Sequence, residues 1–354
     1  MFKNALSTAH RMLKNSTGFR ALCTGPPVAL NGIGRIGKSV LRQSFDANVN
    51  IVAVNQPKAD IKAVANALMY DTVYGTFNKK VKIYNDTLCI DGRHVKVFHE
   101  ENVEKIKWKD VPIEYVIDSS GKCDENQKAM KHIQAGAKKV LTTTLSKDIP
   151  MFIKGRNFET YKKSVNVVSC GSSTGNCATL LVQILHKKFG VLNCMMSTTH
   201  PLSPNQHVHD GLGFKSGVGN IMSSSTGAAV AFSSTFPDLK DKVHADAARV
   251  PVLNVSLLKI FMNVKEKVTV DAIKADIVSK VQSELKDVLN YVDDSFVSSD
   301  FIGCQYSGVV DFHQIQVIDN LISIGVWYDN EMGYACRVLD LVKHMAEVDA
   351  KSTK

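Results

Sequence analysis

Val28-Ala29-Leu30-Asn31-Gly32-Ile33-Gly34-Arg35-Ile36-Gly37 reads as a short apolar strand running straight into a G-x-G-x-x-G turn. Beyond it, Ile36, Val40, Leu41 and Phe45 recur at helical spacing, and Ile51-Val52-Ala53-Val54 is a second apolar strand. Strand, glycine turn, helix and strand together make one βαβ unit. In such a unit Gly32 serves the tight turn, Gly34 lets a pyrophosphate approach the backbone, and Gly37 lets helix and strand pack closely. The pyrophosphate itself sits on the helix N-terminus. A G-x-G-x-x-G alone is a weak signal that also fits glycine-rich turns of other α/β domains. The flanking strands and helix make it a dinucleotide site.

The chain is 354 residues long with 44% hydrophobic content, enough for two packed domains. No apolar run approaches the ~20 residues of a membrane span. Eight cysteines stand at irregular spacing without a paired metal pattern. They read as reduced core thiols, with no disulfide frame and no metal site expected. The formal charge is +9, yet no nucleic-acid recognition motif accompanies it, so anionic small molecules are the expected partners. Part of that charge lies in residues 1–27, where Lys3, Arg11, Lys14 and Arg20 precede the first acidic residue, Asp46. Phe2, Leu6, Ala9 and Leu13 share one helical face of this extension. It reads either as a mitochondrial transit peptide or as a disordered tail, with the fold beginning near Pro27.

A second informative stretch is Ser169-Cys170-Gly171-Ser172-Ser173-Thr174-Gly175-Asn176-Cys177. It follows the apolar run Val165–Val168 and precedes the helix-like Ala178–Leu185. The simple reading is strand, tight turn and helix N-terminus, which sets a small nucleophile beside free N–H groups and a positive dipole end. The strand-like Val191–Thr199 then leads to His200. Alone, His200 reads as a structural histidine, and Arg249 as a surface or ion-pair arginine.

These motifs resemble the phosphorylating glyceraldehyde-3-phosphate dehydrogenase family over about Val28 to Ala350. Asn31–Gly37 resembles Asn-Gly-Phe-Gly-Arg-Ile-Gly, and Ser169–Cys177 resembles Ser-Asn-Ala-Ser-Cys-Thr-Thr-Asn-Cys, with Ser173 where that family has its nucleophilic cysteine. Trp327-Tyr328-Asp329-Asn330-Glu331-Met332-Gly333-Tyr334 is nearly the family's own run. The resemblance implies an α/β fold: an N-terminal Rossmann dinucleotide-binding domain (28–172, completed by a helix at 330–350) and an α+β catalytic domain (173–329) with a mostly antiparallel sheet. It implies cofactor positions at Asn31, Gly32, Gly34, Arg35, Ile36, Gln56, Ser120, Thr143 and Asn330, the last for the nicotinamide amide. It implies a catalytic pair, Ser173 and His200, and phosphate positions at Ser172, Thr174, Ser203, Thr226, Gly227 and Arg249. The implied partners are glyceraldehyde 3-phosphate, phosphate and NAD, within a homo-oligomer or a hetero-oligomer with active relatives. The family's usual compartment is the cytosol, with the mitochondrion as the alternative from the leader.

The departures matter as much. Gln56 replaces the acid that grips the adenine ribose, which leaves NADP open beside NAD, and Glu101 stands where an adenine-side arginine is common. The stretch from Gly211 to Thr226 is shorter than the family's S-shaped loop. Serine is far less acidic than cysteine, and its acyl product is an ordinary ester, so two steps of the family cycle suffer together. Three functions follow: an impaired glycolytic-type dehydrogenase, a catalytically silent NAD-binding relative acting as a structural or regulatory partner, or an esterase-like Ser173–His200 pair. The third requires a carboxylate to orient the histidine.

Overall fold

A computed structural model describes residues 25–351, apart from 228, 230, 231, 233 and 234. The reading of the leader therefore lies, through residue 24, outside the described residues. The chain builds two sheets. The first contains β1 (Pro27–Asn31), β2 (Asn50–Asn55), β3 (Val81–Tyr84), β4 (Thr87–Ile90), β5 (Arg93–Phe98), β6 (Tyr115–Asp118), β7 (Lys139–Thr142) and β8 (Val167–Ser169), in the order β3-β4-β5-β2-β1-β6-β7-β8. From β5 to β8 every ladder is parallel, and β3–β5 form an antiparallel edge. Helices α1 (Arg35–Ser44), α2 (Ile61–Met69) and α3 (Asn126–Gln134) serve as crossovers. Strand order reverses between β1 and β6, and a crevice outside the carboxyl ends of strands at such a reversal is the ligand site of open α/β sheets.

Helix α4 (Ser173–Phe189) then leads into the second sheet. Its strands are β9 (Val191–Pro201), β10 (Met222–Ser225), β11 (Val243–Val250), β12 (Ser256–Val264), β13 (Leu289–Val292), β14 (Gly308–Ile318) and β15 (Leu321–Tyr328). Their order is β10-β11-β9-β12-β15-β14-β13, antiparallel except at β11·β9 and β13·β14. Alternation along β12 (Ser256, Leu258, Ile260, Met262 and Val264 buried) turns one face onto α4 and onto α5 (Val270–Gln282), and the shared core includes Leu181, Leu185, Ile273 and Ile277. This is the Rossmann domain plus mostly antiparallel α+β domain expected from the sequence.

The chain finally returns to its start. Helix α6 (Met332–Lys351) buries Val338, Leu341, Val342 and Met345 in the same core as Val28, Leu30, Val40 and Leu41.

Candidate active site

The dinucleotide cradle follows from the glycines. Gly32 has φ +94°, and a Cβ there would lie 3.0 Å from the Ser119 carbonyl, so the turn requires glycine. A Cβ on Gly37 would sit 2.0 Å from Gly32 O, so α1 can approach the β1 turn only without a side chain. Gly34, in contrast, faces open space, and no side chain caps α1 there. The first amides of α1, at Arg35 and Ile36, therefore point into an open cradle at a positive dipole end, which fits a pyrophosphate.

The side chains placed here from sequence divide. Arg35 contributes through its backbone alone: its guanidinium is spent on Glu331 (2.7 Å from Nε and from Nη2) and on Asp71 (2.6 Å). Asn31 is buried beneath the cradle, donating to Asp118 at 2.6 Å and accepting from Asn55 at 2.7 Å. Ser120 donates to the other Asp118 oxygen at 2.8 Å. Thr143 continues the crevice past β7, its N–H bonded to Asp118 O at 2.9 Å. Gln56 accepts from Ile33 N–H at 2.7 Å, holding the end of β2 to the glycine turn.

Asp118, Cys123 and His132 lie close together, all buried, in a group whose atoms resemble a metal-ligand set. The Trp108 indole, which can only donate, points at His132 Nδ1 at 3.1 Å. That fixes the proton on Nε2, which donates to Asp118 at 2.9 Å and so has no lone pair for a cation. The group is a hydrogen-bonded support for Asp118, whose carboxyl is held low, against burial, chiefly by His132 and Asn31.

In the second domain the nine-residue stretch folds with one difference from the sequence reading: α4 begins at Ser173, before Ala178. Ser172 is the N-cap, its Oγ accepting from Gly175 N–H at 3.0 Å, and Asn176 ties the turn by donating to Cys170 O at 2.8 Å and Ser172 O at 2.9 Å. Ser173 is thus the first helical residue, half-buried, and none of the described residues hydrogen-bonds its hydroxyl. Cys170 is fully buried, and burial pushes its thiol up to about 12, so it cannot stand in as nucleophile.

Parallel register sets His200 of β9 directly beside Arg249 of β11. The Arg249 guanidinium lies against His200 Nδ1 and donates to Pro201 O at 3.0 Å; Nδ1 itself is 2.9 Å from that carbonyl. Among the described residues no carboxylate pairs with Arg249, and its buried Nε has no partner. A half-buried cation without a counter-ion is a site for an anion. On the other side of the ring, Asn330 Nδ2 is 3.0 Å from His200 Nε2 and donates to Ser256 Oγ at 2.7 Å, leaving Asn330 Oδ1 buried and without a partner among the described residues. An unpaired buried acceptor suits the carboxamide N–H of a nicotinamide.

Burial pushes His200 down to about 4; the Pro201 carbonyl opposes this and the Arg249 charge adds to it. Among the described residues, Arg249 is the charged group facing the ring. An NMR titration of the folded protein is expected to place the His200 midpoint near 4. Because the unfolded imidazole titrates near ~6.5, this residue's contribution weakens the fold progressively as pH falls from that value toward 4, and is neutral above it. A midpoint at or above the unfolded value would contradict the buried, cation-flanked geometry.

The remaining phosphate positions are scattered around this centre. Thr174 Oγ1 is 2.7 Å from Tyr328 OH. Ser203 donates to Gln206 from both N–H and Oγ, the latter at 2.7 Å. Thr226 and Gly227 follow β10, whose register sets Met222 rather than either of them opposite Arg249; Gly227 instead packs on Leu145. Sequence reading missed Ser256, Tyr328 and Asp329. Of these, Asp329 and Tyr328 stood inside a quoted motif, while Ser256 had no local signal.

Strand order and site together define a two-domain α/β protein, with a dinucleotide cradle in one domain and a histidine–arginine anion site in the other. Residues 27–126 match the model of the glyceraldehyde 3-phosphate dehydrogenase NAD binding domain, and residues 169–330 match that of the C-terminal domain. A glyceraldehyde-3-phosphate dehydrogenase of Phytophthora infestans is 38% identical over 328 residues, covering 90% of this chain and 99% of its own. A chloroplastic one of Arabidopsis thaliana is 38% identical over 332 residues (91% and 79%), and glyceraldehyde-3-phosphate dehydrogenase B of Aspergillus oryzae 38% over 329 residues (91% and 98%). The chain belongs to the glyceraldehyde-3-phosphate dehydrogenase family of NAD-binding oxidoreductases. Among the described residues no helix is long and apolar enough to cross a membrane.

Proposed function

We propose that this protein binds NAD and a phosphorylated aldehyde in its family's site, and oxidises the aldehyde only slowly because residue 173 is serine. The observation that carries the reading is the Ser173 hydroxyl at the start of α4, which no described residue hydrogen-bonds, in a chain that also holds an anion site at Arg249 and a dinucleotide cradle. NAD, when bound, supplies the hydride acceptor. Arg249 holds the substrate's phosphate or the attacking phosphate, with the hydroxyls of Ser172, Thr174 and Thr226 and the Gly227 N–H as further donors; the Ser203 hydroxyl becomes a donor only by leaving Gln206. Asn330 Oδ1 orients the nicotinamide amide and Asn330 Nδ2 steadies His200. His200, neutral at pH 7, is the base available to take the Ser173 proton during attack. Among the described residues no carboxylate orients its ring, so the esterase-like reading loses its support.

The second reading, a silent NAD-binding partner, is favoured by the same serine and by the outward face of the second sheet. There Met195 (59% exposed) and Phe261 (39%) stand opposite each other on β9 and β12. A second copy, or an active relative, would cover this face.

One experiment separates the readings. Purified protein is mixed with glyceraldehyde 3-phosphate, NAD and phosphate while nicotinamide absorbance is followed, beside a cofactor-binding titration. Slow phosphate-dependent reduction supports the impaired enzyme, and binding without turnover the silent partner. Rapid reduction by the unaltered protein overturns the impairment, and absence of binding overturns both.

A further inference from the structure

A dinucleotide on the α1 cradle lays its adenosine end beside the end of β2. In this architecture a carboxylate there accepts from the ribose 2′-OH and repels a 2′-phosphate, and that repulsion is the main discrimination against the phosphorylated dinucleotide. Here the residue is Gln56, and its carbonyl is already occupied, accepting from Ile33 N–H at 2.7 Å. Its amide nitrogen donates to Pro57 O at 3.1 Å, and the second amide hydrogen has no acceptor among the described residues. The face presented to the ribose is therefore a donor, which a phosphate oxygen satisfies as well as a hydroxyl does.

The surrounding charges complete the case. Two residues on, Lys58 adopts a left-handed backbone (φ 59°), and its side chain is 78% exposed, with the ammonium 3.2 Å from Glu101. Lys58 and Glu101 offset each other, and the exposed cation is mobile enough to turn from the carboxylate to a phosphate. We propose that the adenosine end of this site does not discriminate against a 2′-phosphate, so that the protein binds NADP and NAD with comparable affinity. This rests on the dinucleotide-binding reading above.

The test uses the full chain and fluorescence titrations with NADH and NADPH, which need no turnover. The two dissociation constants are expected within about fivefold of each other. Gln56→Asp is expected to weaken NADPH at least about tenfold relative to NADH, because it restores the repelling carboxylate. Glu101→Gln is expected to tighten NADPH severalfold with little change for NADH, and Lys58→Ala to do the reverse. All three residues are surface or rim positions, and a circular-dichroism melt confirms that each variant is folded. A native preference for NADH of about fiftyfold or more, or a Gln56→Asp variant with an unchanged ratio, overturns the inference while leaving NAD binding intact. Failure of both dinucleotides to bind overturns the binding reading and this inference with it.

Discussion

Ser173→Cys is expected to raise phosphate-dependent aldehyde oxidation by on the order of 10³-fold or more. The substitution places one sulfur at the first residue of α4, where the helix dipole favours an anion. A thiol there ionises in part at neutral pH, whereas a hydroxyl must lose its proton during attack to a ring whose accepting nitrogen faces Asn330. The product also changes from an ordinary ester to a thioester, which phosphate cleaves more readily. Two barriers fall together, so the expected effect is large. Turnover is read as nicotinamide absorbance, and iodoacetamide should modify residue 173 in the variant but not in the native protein. Unchanged turnover in a variant that alkylates and still binds cofactor would mean that residue 173 is not what limits the reaction.

Asp329→Ala is expected to cost about 3–5 kcal/mol, the usual penalty for removing one partner of a buried, hydrogen-bonded charge. Asp329 is 1% exposed and accepts from five donors. Oδ1 takes the Glu331 and Met332 amides at the start of α6 and the Tyr74 hydroxyl at 2.7 Å; Oδ2 takes Asn254 at 2.9 Å and Gly303 N–H at 2.8 Å. One carboxylate thus fastens the first domain, the second domain and the closing helix at a single point, one residue before Asn330. Asn is a poor replacement, since its amide nitrogen would confront donors. Thermal unfolding should fall by roughly 10 °C for either variant, and nicotinamide-side binding should weaken with it. A shift of under about 2 °C would show that water replaces these bonds.

Local chemistry explains what was legible beforehand. The glycine turn, its strands and α1 are decided within about thirty residues, and the space around Gly32 and Gly37 explains why no other residue serves. His200 and Arg249, placed from short motifs, meet because β9 and β11 run parallel, a register that no local pattern announces. Other contacts join residues far apart in sequence. Arg35 closes on Glu331, Thr174 on Tyr328, and Asn330 on Ser256. Gln56 was legible as a missing acid but not as an amide turned inward to Ile33, because that orientation depends on the finished glycine turn.

The return of α6 to the first sheet has a consequence for synthesis. Val338, Leu341, Val342 and Met345 fill the space against Val28 and Leu30, and they are translated after the whole second domain. A nascent chain therefore exposes the apolar flank of its first sheet while the whole second domain is being made. The second domain's own core, drawn from residues 153 to 328, is complete before those residues leave the ribosome. Translation order and closing order are thus reversed: of the two domains, the one translated first is the one that closes last.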